Sequence, residues 1–517
     1  MSAEEPPQQP ANDPTRAQLR GSTLLLAGQA FALVVGLIIQ VLIVRVLSKA
    51  DYGVFAYALS VVMLGEAVAA FGLRRGVSRF VPIFEERGED AKAAGTLVFA
   101  AATVLSLGLA VVLVIVGLRQ VITASFPAEV EAATVLVLMS ALVPLQALSN
   151  LLDGVFAIHT RPRVIALRKY VLTPVMRLAV VGLLALGSSN VELLAVGYVA
   201  TGAAGLVLYG LLLIPLLGER GVWRRIRHRG LAVPARELLG FTVPLLTNDI
   251  THALMNAGSA VLLGVLATAD DVAELRAVVP LAMTMTYVLS SFGLLFVPLA
   301  ARLYARGDAG ELNRLYWQTA TWTTVLSYPI FIVSIGLAEP LTVLLFGERY
   351  ASAAPLLAIL AVGHFVTAAA GPNGTLLGVF GEVRYIVATN AVAAAASVAL
   401  SLLLIPRWDA LGAALATSLT FVLLNAGLQV GLARHTYVLA ADRSTAVVYG
   451  SVAAVSAVAL PLLLLASLPV AADAAIAALA AIAVLALGRR RLSLGDAFPE
   501  LARVPAVRLL LPAEARR

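Results

Sequence analysis

The side chains of this chain best placed to do chemistry sit where polarity is expensive. Arg177 lies about midway along the apolar run of residues 165–187. A charged group at the centre of a bilayer costs roughly 2.5–3.5 kcal/mol on insertion scales, so it faces a cavity or a partner. Facing a cavity, Arg177 presents a fixed positive charge to an anion crossing the membrane. The structural alternatives are an ion pair with Glu66 or Asp153, or a guanidinium that snorkels to the nearer interface. The sequence leaves these readings open.

Two polar stripes accompany it. Gln29, Gly36 and Gln40 follow one another at i, i+7 and i+11, which places the latter two within about 20° of Gln29 on a helical wheel. Asn248, His252, Asn256 and Ser259 repeat the stripe in the second half at i, i+4, i+8 and i+11. Such stripes either wall a hydrated cavity or only tie helices together by hydrogen bonds. Asp249 points off the second stripe. With His252 it is a candidate to carry a proton or cation, and Glu66 and Asp153 are further candidates for ion coupling. Arg75 and Arg79, beside Arg74, end the second apolar run, with Glu66 two to three turns deeper. Arginine forks match phosphate oxygens; charge that sets topology is the plainer alternative. His364 and Asn390 fit no stripe and are assigned to packing.

Much other chemistry is excluded. With no cysteine, disulfides, thiolate metal sites and a cysteine nucleophile are ruled out. The five histidines lack metal-ligand spacing, and there is no nucleophile elbow, phosphate loop or dinucleotide turn. No metal or other cofactor is expected. The external loops are too short to hold the acid and base of a sugar-transfer enzyme. Asn373-Gly374-Thr375 matches a glycosylation sequon but falls inside an apolar run.

The elements that must position these groups are membrane helices. A chain that is 60% hydrophobic and 13% charged, with mean hydropathy +0.92, is far more apolar than a soluble domain. Apolar runs fall near 21–46, 53–73, 93–118, 132–157, 165–187, 191–217, 238–266, 273–300, 316–338, 352–380, 384–406, 410–433, 444–467 and 470–488. The fold class is therefore all-α, a polytopic membrane protein of about fourteen transmembrane helices. Its halves echo each other: Phe80-Val81-Pro82 recurs as Phe296-Val297-Pro298, each before a charged loop, and Gly154-Val155-Phe156 as Gly378-Val379-Phe380. A duplicated bundle is how many transporters build a site between two rocking halves. The division is a disordered N-terminal tail (1–19), a first six-helix bundle (20–217), a basic linker (218–237), a second six-helix bundle (238–434), helices thirteen and fourteen (435–488) and a basic C-terminal tail (489–517).

Most of the 37 basic residues fall on the side of the termini, Arg168 and Lys169 among them. Only Arg45, Lys49, Arg119, Arg276, Arg349 and Arg407 fall opposite. The positive-inside rule then places both termini in the cytoplasm. The net charge of +7 belongs to short loops beside the membrane, which argues against nucleic acid as a partner and for lipid headgroups, with the basic 220–236 stretch lying on anionic ones.

Four segments carry a family likeness. Arg45-Val46-Leu47-Ser48-Lys49-Ala50-Asp51-Tyr52-Gly53-Val54-Phe55 resembles the first external turn of polysaccharide flippases. Leu345-Phe346-Gly347-Glu348-Arg349-Tyr350 with Ala353-Ala354-Pro355-Leu356-Leu357 is similar to a later family segment. Gly371-Pro372-Asn373-Gly374, Gly381-Glu382-Val383-Arg384, Leu404-Ile405-Pro406 and Leu411-Gly412-Ala413-Ala414-Leu415-Ala416-Thr417 resemble the C-terminal-half signature in content and order. The resemblance covers most of residues 20–435 and implies the multidrug/oligosaccharidyl-lipid/polysaccharide superfamily, with a MATE-like fold of two pseudo-symmetric six-helix bundles plus a C-terminal helix pair. It implies a flippase that moves a polyprenyl-phosphate or -diphosphate oligosaccharide between leaflets by alternating access. On this reading the phosphate meets Arg177, after handover from Arg75 and Arg79. The sugar hydroxyls meet Gln29, Gln40, Asn248 and Asn256. The partners implied are that glycan substrate, membrane lipids and glycan-assembly proteins, around a monomer. The rival is a cation-coupled drug or organic-cation antiporter of the same superfamily, which usually has twelve spans and an acidic cavity. A lipid II-type flippase is a close variant.

Overall fold

The computed structural model describes residues 14–123, 129–158, 162–187, 190–219, 231–434, 441, 443–466 and 468–491. Most of the expected N-terminal tail, basic linker and C-terminal tail lies outside the described residues. Every regular element among the described residues is helical. A lipid-exposed backbone must satisfy its own polar groups, and the helix does so within one segment. Thirteen helical runs are long and apolar enough to cross a membrane. One of them, Val383–Ala433, has 51 residues and leaves helical geometry at Trp408 and Asp409, where Asp409 has φ +45°. There the chain reverses: a Cβ on Gly412 would lie 2.3 Å from the Leu404 carbonyl oxygen. Tyr385 Oη, near one end of the run, donates to Gly427 O near the other at 2.7 Å. This run is a hairpin of two crossings, so the described chain makes fourteen, and the protein is a multi-pass membrane protein.

The structure divides into two compact units. The first comprises residues 1–46, 65–117 and 137–246. It holds α1 (Pro14–Val46), the end of α2 (Lys49–Ala70), α3 (Leu73–Glu86), most of α4 (Asp90–Thr123), the end of α5 (Glu129–Ser140), α6 (Leu142–Ile158), a π-helical turn (Ala166–Leu172), α7 (Thr173–Leu186), α8 (Val191–Glu219) and the start of α9 (Ala235–Ala253). Between α2 and α3 the backbone turns left-handed at Phe71 and Gly72, with φ +47° and +64°. The helix that follows is amphipathic: Leu73, Gly76, Val77, Val81 and Phe84 are buried, while Arg74 and Arg79 are exposed. Close approach through small residues joins its helices. A Cβ on Gly197 of α8 would lie 2.3 Å from Val180 of α7, and one on Gly28 of α1 would lie 3.1 Å from Tyr170 in the π turn.

The second unit comprises residues 47–64, 118–136 and 247–517. After α9 come a second π turn (Leu254–Gly258), α10 (Ser259–Leu266), α11 (Ala269–Ala305), α12 (Ala309–Gly336), α13 (Ala338–Phe346), α14 (Ala354–Ala370), α15 (Asn373–Val379), the hairpin α16 (Val383–Ala433), α17 (Arg443–Leu465) and α18 (Val470–Arg491). Thr268 opens α11 with a reciprocal capping box to Asp271. The core gathers around α12, whose Tyr316, Trp322 and Tyr328 are fully buried. The C-terminal pair α17 and α18 packs on the same helix. Cβ atoms built on Gly336 and Gly488 would lie 2.6 Å from Leu463 and 2.7 Å from Val325.

The sequence echo has a geometric counterpart. Behind Phe80-Val81-Pro82, Glu89 N bonds Phe84 O at 2.8 Å and Gly88 N bonds Glu85 O at 3.0 Å, with Gly88 at φ +69°. Behind Phe296-Val297-Pro298, Asp308 N bonds Leu303 O at 3.1 Å and Gly307 N bonds Tyr304 O at 3.0 Å, with Gly307 at φ +71°. Both are Schellman ends, in which glycine takes the left-handed position without a side-chain clash.

Candidate functional site

In the first unit five ionisable side chains cluster, with Asp153 and Arg168 buried and Lys169 reaching them from an exposed position. The π turn is registered by Thr173 Oγ1, which donates to Arg168 O at 2.9 Å. This widened turn brings Arg168 and Lys169 toward α6. π bulges often mark functional positions because they re-aim side chains that an α-helix would spread apart. Arg168 Nη2 donates to Ser149 Oγ at 2.8 Å, and its guanidinium stacks 4.3 Å over the Tyr209 ring. Gly205 clears room for it, since a Cβ there would lie 3.0 Å from Arg168 Nε. Lys169 Nζ donates to Asp153 Oδ2 at 2.8 Å, with the Asp153 side chain only 7% exposed. Tyr209 Oη donates to the other carboxylate oxygen of Asp153.

Arg177 lies one turn into α7, its guanidinium 4.7 Å over the Tyr198 ring, and its buried Nε has no hydrogen-bond partner. Glu66 accepts from Asn150 Nδ2 and lies within electrostatic reach of Lys169 and Arg177. A group of three cations and two carboxylates keeps a positive balance in a medium of low dielectric. Arg168, counted with the inner-face charges from sequence, is buried in a helical turn, while Lys169 is exposed and tied to a buried acid. Asp153 is the partner of Lys169 and Tyr209 rather than of Arg177. Nothing in the period of the apolar run announces the π turn, though Lys169 and Asp153 form a complementary pair that the sequence already contains.

Arg75 and Arg79 sit on amphipathic α3, where Arg79 stacks 4.5 Å over Phe241 of α9 and 5.6 Å over Phe80. Gln29 and Gln40 are half-buried on α1.

The second unit contains a cavity of about 450 Å³. Asn248, His252, Asn256, Thr286, Ser290, His364, Thr367, Asn373, Asn390 and Asn425 line it beside apolar Met255, Phe421 and Leu424, and among the described residues no carboxylate or permanent cation does. Asn390 Nδ2 donates to Asn248 Oδ1 at 2.6 Å. Asn373 Nδ2 donates to Asn425 Oδ1 at 3.2 Å, and Asn425 Nδ2 to Thr367 Oγ1 at 3.0 Å. Thr286 Oγ1 and His364 Nδ1 are 3.1 Å apart. Asn256 falls in the second π turn, its Nδ2 donating to His252 O at 2.7 Å. Ser259, last of the stripe, accepts from Thr417 Oγ1 at 3.0 Å beside a smaller void. Asp249 is not among the lining residues.

One wall is a broken helix. α14 ends at Gly371, with φ +67°, and α15 begins after Pro372, which has no N–H to donate. Gly371, Pro372, Asn373, Gly374 and Thr375 all face the cavity. Discontinuous helices with freed backbone groups are how transporters line sites at membrane depth. His364 of α14 and Asn390 of α16, assigned to packing from sequence, line the same cavity. Arg276, counted with the outer-face charges, lies two turns into α11, where its Nη1 is 3.4 Å from Asn256 O. The Gly-Pro-Asn-Gly string was the available signal for the break. Asn425 offered none, because a lone amide in an apolar helix follows no period.

The comparisons with known proteins agree with this architecture. The chain is similar to a structure of the lipid II flippase MurJ in an inward closed conformation, with TM-score 0.67 and 11% identity over 90% of this chain and 99% of that one. An inward-facing multidrug resistance MATE family transporter of the MOP superfamily matches with TM-score 0.60 and 14% identity, covering 77% of this chain and 98% of that one. A MOP superfamily transporter from Pyrococcus furiosus, described as having reverse polarity of its binding pocket, matches with TM-score 0.53 and 14% identity over 82% and 96%. At such identities the likeness is one of fold. No curated protein matches the sequence. The family model described as polysaccharide biosynthesis protein matches residues 42–355, more than half of the chain. The chain belongs to the polysaccharide biosynthesis protein family.

Proposed function

We propose that this protein is a flippase that carries a lipid-linked oligosaccharide, a polyprenyl-phosphate or -diphosphate sugar, from the inner to the outer leaflet of the cell membrane. The observation that carries the reading is the cavity of the second unit, with amides and hydroxyls on its walls and no fixed charge. Neutral donors and acceptors suit sugar hydroxyls, which need hydrogen bonds when they lose water. A carboxylate there would favour an organic cation instead. The family and the lipid II flippase fold support the same choice.

The first unit contributes a basic group suited to phosphate. Arg177, with Arg75 and Arg79 as an earlier contact, offsets the phosphate charge. Gln29, Gln40, Asn248, His252 and Asn256 bond the sugar. Glu66, Asp153 and Asp249 are the candidates for coupling to an ion. The substrate leaves chemically unchanged, so the activity is transport, not catalysis. The domain division of the sequence reading, a monomeric state, glycan-assembly partners and two cytoplasmic termini complete the proposal. The test is reconstitution in vesicles with a fluorescent polyprenyl-diphosphate oligosaccharide, scored by accessibility of the label to an external quencher. Protein-dependent movement of the glycolipid is expected. Extrusion of organic cations with no movement of the glycolipid would overturn the reading in favour of a drug antiporter.

A further inference from the structure

At the break at Gly371–Pro372 three consecutive carbonyls at the end of α14 each meet a hydroxyl, and two of them, Ala369 O and Ala370 O, lie past the last α-helical hydrogen bond. Ala368 O accepts from Gly371 N at 3.2 Å and lies 2.8 Å from Thr323 Oγ1, whose hydroxyl it shares with Ala320 O at 2.9 Å. Tyr449 Oη donates to Ala369 O at 2.6 Å. Tyr316 Oη donates to Ala370 O at 2.9 Å and lies the same distance from the Gln429 amide. Thr323 and Tyr316 come from α12, but Tyr449 comes from α17, the first helix of the C-terminal pair. Gly371 is also pressed against α12, where a Cβ would lie 2.5 Å from Ala320 Cβ.

Carbonyls at a helix end inside the membrane must be satisfied or the break closes. Three hydroxyls on three successive carbonyls hold the chain at the place where it turns aside to line the cavity. We infer that Tyr449, with Tyr316 and Thr323, is a positioning residue that fixes the broken helix, and that the thirteenth crossing thereby helps to shape the substrate cavity. The inference deepens the flippase reading and rests on it for the identity of the substrate. The geometry of the break is testable without that substrate.

The absence of native cysteine permits a direct probe. Thr375→Cys on the broken wall and Ser290→Cys on the opposite lining are each made with and without Tyr449→Phe, and labelling by a small hydrophilic maleimide is timed in vesicles. Tyr449→Phe is expected to change the labelling rate about fivefold at position 375 and less than about 1.5-fold at position 290, the signature of one lost buried hydrogen bond. Equal changes at both positions, or none at either, would overturn the inference. Melting temperature and elution profile separate this outcome from unfolding, and a Tyr449→Phe variant that fails to fold is replaced by Tyr316→Phe with the same expectation. In the glycolipid assay Tyr449→Phe is expected to raise KM about fivefold with kcat within about twofold. A fall in kcat at unchanged KM contradicts the inference. Absence of transport by the unmodified protein refutes the flippase reading and leaves the labelling result to stand by itself.

Discussion

The interiors of the two units solve the same problem in opposite ways. In the first, polarity is carried by charge: Arg168, Lys169 and Arg177 face Glu66 and Asp153, and tyrosine rings cover two of the guanidinium groups. In the second, polarity is carried by neutral amides and hydroxyls around an open volume. A duplicated architecture has diverged in chemistry while keeping its helix ends, as the matching Schellman turns behind the two Phe-Val-Pro strings show. The two halves thus keep matching helix ends while their interiors differ in chemistry.

The contrast can be broken at several points. The largest effect on stability is expected from Asp153→Ala, which strips Lys169 and the Tyr209 hydroxyl of their partner. The Lys169 side chain is 42% exposed, so most of the cost comes from the buried Tyr209 hydroxyl left unpaired, about 1–3 kcal/mol, read as a lower melting temperature in detergent, with Asp153→Asn milder. Arg177→Ala is next: loss of a desolvated charge contact costs about 2–3 kcal/mol, or roughly a hundredfold in glycolipid transport, while Arg177→Lys keeps part of the rate. Surface glycan in cells should follow the same order at equal expression.

Gly371→Ala tests the second unit. A side chain at φ +67°, 2.5 Å from Ala320 Cβ, should cost about 2 kcal/mol in stability through strain and overlap. Asn390→Asp places a charge among neutral groups and leaves the Asn248 carbonyl facing a carboxylate. Transport should fall about tenfold at pH 7 and recover toward pH 4–5, because a carboxyl ordinarily titrates near 4 and its protonated form restores a donor. A pH-independent loss would count against the neutral-cavity account. The smallest effect is reserved for Arg79→Ala. Its stacking on Phe241 is worth about 0.5–1 kcal/mol at an exposed site, so transport should drop less than about fivefold.

The sequence and the structure agree most where physics is coarse. Apolar runs of bilayer length, separated by glycine, proline and charge, locate the crossings because the backbone allows little else in lipid. Even the hairpin at Trp408–Asp409 was legible as two runs either side of Pro406 and Arg407. The left-handed turn at Phe71–Gly72 was not, since hydropathy does not distinguish a loop from an amphipathic helix lying beyond it. Within the candidate site, the stripe of Asn248, His252 and Asn256 was readable because it repeats on a helical period. Arg168 and Arg276 were counted with the charges of the membrane faces because each lies within a few residues of a run's edge, where one helical turn decides between surface and interior. His364, Asn390 and Asn425 come from separate helices, and only packing brings them to one cavity.

The central claim is that the first unit reads charge and the second reads sugar. It is tested most directly by pairing one glycan with two lipids, a polyprenyl diphosphate and a neutral lipid of equal length, and measuring their transport in competition in the same vesicles. The account predicts that the unmodified protein prefers the diphosphate, that Arg177→Ala erases this preference, and that Asn248→Ala slows both substrates in equal proportion. Equal slowing of both substrates by Arg177→Ala, with the preference intact, would contradict it.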